Sequence, residues 1–67
     1  MTVAKVLELS SQSDQGFDDA LRRGIAKASE TVDGIRSAWI EDHEVLVSDG
    51  KVTGYRVHMK VTFVLKE

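Results

Sequence analysis

From Tyr55 to Lys66 apolar and polar residues alternate. Tyr55, Val57, Met59, Val61, Phe63 and Leu65 fall on one set of positions, Arg56, His58, Lys60, Thr62 and Lys66 on the other, and Val64 alone breaks the pattern. A period of two belongs to a strand with one buried face. At about 3.3 Å per residue such a strand reaches roughly 40 Å, about twice the ordinary length in a globular domain. A chain this small cannot cover it alone, so the pattern implies neighbouring subunits. Upstream, Val3 to Leu9 reads as a first strand, with Val3, Lys5, Leu7 and Leu9 on one face and Ala4, Val6 and Glu8 on the other. Neither face is cleanly polar, which suits a strand with protein on both sides.

Between these strands the period changes. Ser10 to Gly16 is a polar connection in which Ser13 or Asp14 can accept from the free amides that open a helix. Phe17, Ala20, Leu21, Ile25, Ala28 and Val32 then recur at steps of three and four, the stripe of an amphipathic helix. Asp18 and Asp19 sit near its positive end, and Gly34 is placed to end it in the left-handed conformation. Gly24, inside the helix, costs about 1 kcal/mol relative to alanine. It marks either close approach of another backbone or a tolerated defect.

Ile35 to Ser48 forms a second long strand, closed by Asp49-Gly50, a strong hairpin signal. A two-residue turn pairs Ser48 with Lys51 and sets residue i opposite residue 99 − i. Trp39 then faces Lys60, Glu41 faces His58 and His43 faces Arg56, all on one side. Ala38 with Val61, Ile40 with Met59 and Glu44 with Tyr55 occupy the other. The apolar side, which includes Phe63, takes the helix, and Trp39 is left on the polar side. A bulge at Gly54 would shift this register by one. The expected fold is α+β, in the order β-α-β-β, with a three-stranded antiparallel sheet packed around one helix in a single domain over residues 1–67.

Composition narrows the function classes. The net charge of −2 and a pI near 5.6 argue against a surface that tracks phosphates, so nucleic acid is not an expected partner. No apolar run approaches the roughly 20 residues that span a bilayer, and the N-terminus lacks a basic region followed by an apolar one. No membrane association and a cytoplasmic location are therefore expected, and the absence of cysteine is compatible with that compartment. At 67 residues, 42% of them hydrophobic, the chain should fold but sits near the size at which one core is marginal. Without disulfides, the remaining stability is expected from subunit contacts.

The polar side of the hairpin carries the candidate chemistry. An indole among Ser37, Glu41, His43, Arg56, His58 and Lys60 supports two readings. Trp39 either packs into a subunit interface with Lys60 over its ring, or offers a stacking platform to an aromatic ligand. Metal and nucleophile chemistry find little purchase. His43 and His58 lie near Arg56 and Lys60, a setting that opposes a cation. There is no cysteine nucleophile, glycine-rich phosphate loop or serine elbow. Glu41 opposite His58 reads as a cross-strand ion contact, since no third group orients it.

The strand, helix and Asp49-Gly50 hairpin, the run Ala28 to Val32 before Gly34, and the ending Tyr55-Arg56-Val57-His58-Met59-Lys60-Val61-Thr62-Phe63 together resemble dodecins over nearly the whole chain. That resemblance implies a hollow homododecamer and a non-enzymatic role in flavin storage. Dodecins bind flavins in pairs between symmetry-related tryptophans, with a glutamine near the start of the last strand bonding the ring. An ungapped match puts the family's tryptophan on Ser37 and its glutamine on Arg56. Trp39 lies two residues from Ser37 and so faces the same way. Arg56 replaces a donor and acceptor with a donor-only cation. Arginine there, without the usual tryptophan, is also similar to the calcium-binding dodecins.

The resulting expectation is a pocket at a symmetry axis lined by Ser37, Trp39, Arg56 and His58. It would take a flavin (FMN, riboflavin or FAD) or a related planar cofactor. The alternative is a structural or calcium-binding shell that takes no flavin, with Asp42, Glu44, Glu41 and Asp49 as the available oxygens. Within one chain those acids read as a solvated surface and no metal site is assigned.

Overall fold

The computed structural model describes residues 2–65. Four elements follow one another: β1 (Ala4–Ser13), α1 (Phe17–Ser29), β2 (Ile35–Ser48) and β3 (Lys51–Val64). β3 lies in the middle of an antiparallel sheet of order β1-β3-β2. Its alternation places Val57, Met59 and Val61 under α1, where they and Ala20 are fully buried. Leu7 and Leu9 from β1, Ile35, Ala38 and Ile40 from β2, and Phe17, Leu21 and Ile25 from α1 pack around them. The hairpin runs beyond this small core, and the longest dimension is 51 Å. Lys66, the last polar position of the alternation, lies outside the described residues. Among those residues no helix is long and apolar enough to cross a membrane.

Gly24 is where the helix touches the sheet. A Cβ there would lie 2.8 Å from Met59 Cε and 2.9 Å from Ser11 Cβ. The close approach is therefore real, but it is made by side chains of β1 and β3 rather than by a backbone.

Three local expectations are corrected. β1 does not end at Leu9: it continues through Ser10, Ser11, Gln12 and Ser13, which pair with His58, Val57, Arg56 and Tyr55. Ladder hydrogen bonds use backbone groups, so polar side chains do not end a strand that has a long partner. The helix is not capped by Ser13 or Asp14. Gly16 holds the N-cap position without a side-chain bond, and its carbonyl accepts from Ala20 N at 3.0 Å. Ser13 Oγ instead accepts from Gln15 N at 2.9 Å and donates to the Asp19 carboxylate.

Gly34 does not stop the helix, which ends at Ser29 with Glu30 still right-handed. Gly34 has φ of +78° at the entry to β2, where a Cβ would lie 2.9 Å from the Val64 carbonyl oxygen. Its own carbonyl accepts from Val64 N at 3.0 Å. The left-handed glycine thus lets β2 start against the end of β3.

The hairpin register follows the turn for two pairs, Ser48 with Lys51 and Val47 with Val52, and then slips. Leu46 pairs with Gly54, leaving Thr53 as the extra residue, and the shift by one runs through Asp42 opposite His58. Glu41 is then the extra residue on β2, and Ile40 returns to Met59, Trp39 to Lys60 and Ala38 to Val61. A third irregularity leaves Arg36 extra before Ile35 pairs with Phe63. Gly54 is the expected bulge site, buried with Leu46 Cδ1 only 3.1 Å from where its Cβ would be.

Three expected pairs change as a result. Glu41 does not face His58, His43 does not face Arg56 and Glu44 does not face Tyr55. His43 pairs with Val57, moves to the helix side and meets Phe17 edge-on at 4.9 Å between ring centres. His43 and His58 therefore do not share a face.

Candidate functional site

The side of the sheet away from α1 is a lattice of four rows, each crossing β1, β3 and β2. They are Val6-Thr62-Ser37, Glu8-Lys60-Trp39, Ser10-His58-Asp42 and Gln12-Arg56-Glu44. Pairing fixes who stands beside whom, and period-2 alternation puts all twelve on one face.

Among the described residues Trp39 is left 75% exposed. Lys60, beside it in the row, lies 3.8 Å from Glu8 and 3.7 Å from Glu41. At the other end Arg56 is held from both sides. Its Nε and Nη2 donate to Gln12 Oε1 at 3.3 and 2.9 Å, and its Nη1 donates to Glu44 Oε1 at 3.1 Å. His58 Nε2 lies 2.9 Å from the same Glu44 oxygen and 3.8 Å from Asp42. The hydrogen bond from His58, followed by that from Arg56, holds the Glu44 carboxyl below the ordinary glutamate value.

The four residues expected to line a pocket all lie on this face. Arg56 and His58 are joined through Glu44, and Ser37 stands one row from Trp39. The Trp39 and Arg56 rows are four residues apart along β3, about 13 Å, so one chain does not bring the indole and the guanidinium together. Sequence reasoning missed Gln12, which the longer β1 carries into the Arg56 row. It also set Glu44 on the wrong side. Residues 10–13 are polar throughout, so no alternation in the sequence marked the first. The glycine at position 54 was the signal for the second.

The chemistry of the face decides what fits. Glu8, Glu41, Asp42 and Glu44 oppose only Lys60 and Arg56, a balance of −2 with His58 neutral. Arg56 is already paired, so the face is poorly suited to capturing a phosphate. Trp39 offers an uncovered aromatic surface, and the polar groups beside it are those of Lys60, Glu8 and Glu41. Among the described residues no group of three or more His, Asp or Glu side chains converges to hold a metal ion.

Comparison with known proteins agrees with this architecture. A family model described as Dodecin matches residues 3–66. The calcium dodecin of Mycobacterium tuberculosis is 31% identical, over 98% of this chain and 93% of that protein. Among solved structures, the dodecin from Streptomyces davaonensis superposes with a TM-score of 0.93 at 30% identity, covering 98% of this chain and 97% of that one. The crystal structure of the M. tuberculosis calcium dodecin, described as having a novel calcium-binding site, superposes at 0.83 with 28% identity, over 96% and 91% of the two chains. With the β-α-β-β order, the helix over the central strand and a family match along nearly its whole length, this chain belongs to the dodecin family.

Proposed function

We propose that the chain is a non-enzymatic, cytoplasmic binding and storage protein. Residues 1–67 act as one dodecin domain that assembles into a hollow homododecamer and takes a flavin, or a related planar cofactor, at a subunit interface. The observation that carries this reading is Trp39, 75% exposed on the face that carries Lys60, His58 and Arg56. Ser37, Arg56 and His58 line the same site, from this chain or a symmetry mate. Self-assembly is supported by the two sides of α1. One flank leaves an open apolar groove along Leu7, Leu9 and Gly24 and the other along Leu21, Ile25 and Ala38, each of about 670 Å³. Neighbouring subunits are what such grooves on a short chain require.

A second reading has its own support. The related calcium dodecin and the −2 balance of the outer face favour a shell that collects cations, with Asp42 and Glu44 in adjacent rows. Copies of these carboxylates around a symmetry axis would supply the six to eight oxygens that calcium needs.

One titration separates the two. Purified protein of known size is added to riboflavin while its fluorescence is followed, and the series is repeated with Trp39→Ala. Saturable quenching that disappears in the variant, with assembly intact, supports the flavin site. An unchanged riboflavin signal ends that reading, and a calcium-dependent rise in melting temperature would then support the second. Loss of assembly in Trp39→Ala would make the indole an interface residue.

A further inference from the structure

The chain contains two Asp-Gly steps, Asp33-Gly34 and Asp49-Gly50, and the fold treats them oppositely. Gly34 is pinned against β3. Its carbonyl accepts from Val64 N at 3.0 Å, and a Cβ on it would lie 2.9 Å from the Val64 carbonyl oxygen. Rotating the Asp33-Gly34 peptide would strain both contacts. Gly50 stands at the exposed tip of the hairpin, and apart from its chain neighbours no atom lies within 4 Å of where its Cβ would be. The last strand pair before the tip is Ser48 with Lys51, so only Asp49 and Gly50 lie outside the ladder. Both have positive φ, +52° and +74°, as the two-residue turn requires. Glycine adopts that conformation freely, whereas Asp49 carries a Cβ and is kept there by the turn alone. Among the described residues neither Asp33 nor Asp49 has a side-chain hydrogen bond or ion partner, so what separates the two steps is the main chain.

We infer that Asp49 is a site of spontaneous isomerisation to isoaspartate, and that the fold protects Asp33 from the same reaction. The Gly50 amide nitrogen attacks Cγ of the protonated Asp49 carboxyl. The N–Cγ bond forms, the nitrogen gives up its proton, and the hydroxyl leaves as water. Water then opens the five-membered ring. Attack at Cγ restores aspartate, and attack at the Asp49 main-chain carbonyl carbon leaves the chain linked through Cβ. No other reactant is needed. Glycine after the aspartate presents no side chain to block the approach, and a loop tip without tertiary contacts opens at little cost. The product carries one extra main-chain atom, so the turn no longer has the geometry that pairs Ser48 with Lys51 and Val47 with Val52. The bulge at Thr53 stands between those pairs and the rest of the hairpin, so the change is confined to the arm.

Ageing the protein tests this. Native protein is kept at neutral pH for days beside a sample unfolded in urea. Trypsin then places the two steps in different peptides, residues 28–36 and 37–51, in which fragmentation mass spectrometry distinguishes aspartate from isoaspartate. In the native sample isoaspartate should accumulate about tenfold faster at position 49 than at position 33, the factor that one backbone hydrogen bond at Gly34 can impose. In urea both glycines are free, and the two rates should converge. Equal native rates would overturn the inference. So would a position 49 that reacts in urea and stays silent in the native sample, since the tip would then be covered. Asp49→Asn gives a second readout, because Asn-Gly suits the same turn. Its amide should be lost as ammonia through the same ring, seen as a gain in intact mass. An amide that survives in the native variant but not in urea would overturn the inference as well.

Discussion

The same three strands carry two unlike faces. Under α1, Val57, Met59 and Val61 are buried among aliphatic neighbours, and among the described residues no polar side chain is fully buried with them. On the opposite face, charged and amide groups form the rows around an uncovered indole. The inner face depends on volume: what fits beneath the helix is decided by contact distances near van der Waals limits. The outer face depends on sequence position, since one residue of slip exchanges every side chain with the other side. Packing therefore protects the fold, while register protects the site.

Perturbing each face in turn sharpens that contrast. The largest effect belongs to Met59→Ala, which removes the centre of the core and should destabilise the protein by about 2–5 kcal/mol in urea or thermal unfolding. A loss well under that range would mean the core is set mainly by neighbouring subunits. Gly24→Ala comes next. Helix propensity favours alanine by about 1 kcal/mol, but the new methyl group would press on Ser11 Cβ and Met59 Cε, so overpacking should win by about 1 kcal/mol. A stabilised variant would show that the helix can lift from the sheet without loss.

The smallest effect lies on the outer face and is a pH dependence. Glu44 has a folded value below its ordinary 4.5 because His58 and Arg56 bond the charged form. A depressed folded value contributes stability that is present above 4.5 and disappears as pH falls through the lowered value. Asp19, lowered from 3.8 by Ser13 and Arg23, adds a contribution of the same sign. Glu44 is exposed and Asp19 half-buried, and solvent screens both, so the effect is small. Glu44→Gln should flatten the acid limb of a melting-temperature profile and leave the neutral limb nearly unchanged. An identical acid limb in the variant would show that solvent screens the Glu44 contacts completely.

How much was legible in the sequence differs between the faces for the same reason. The alternation in β3 and the helical stripe name the buried residues directly, since Val57, Met59, Val61 and Ala20 each sit on an apolar period. Asp49-Gly50 gives the turn, and the pairs Trp39-Lys60, Ala38-Val61 and Ile40-Met59 follow from it correctly. Between them the register is shifted by one, so Glu41, His43 and Glu44 were each matched to the wrong partner. Gly54 flags the first bulge because a glycine inside a strand permits a close approach. Nothing comparable flags Glu41, an ordinary strand residue left over where the pairing realigns. Gln12 was hidden differently: a polar run reads as a loop unless one knows how far its partner strand extends.

The bulges at Thr53 and Glu41 lie on opposite strands, so their shifts cancel. The hairpin behaves like a message with an insertion in each of two copies: between the insertions the text is out of frame, and beyond them it reads true again. Residues 42–46 form that out-of-frame window. Its two faces were exchanged by one extra residue at either end, without moving Ile40 in the core or the turn at Asp49. A single extra residue on each strand is enough to bound such a window. A window bounded by two compensating extra residues therefore recasts the polar groups beside Arg56, while the part of the hairpin under the helix keeps its place.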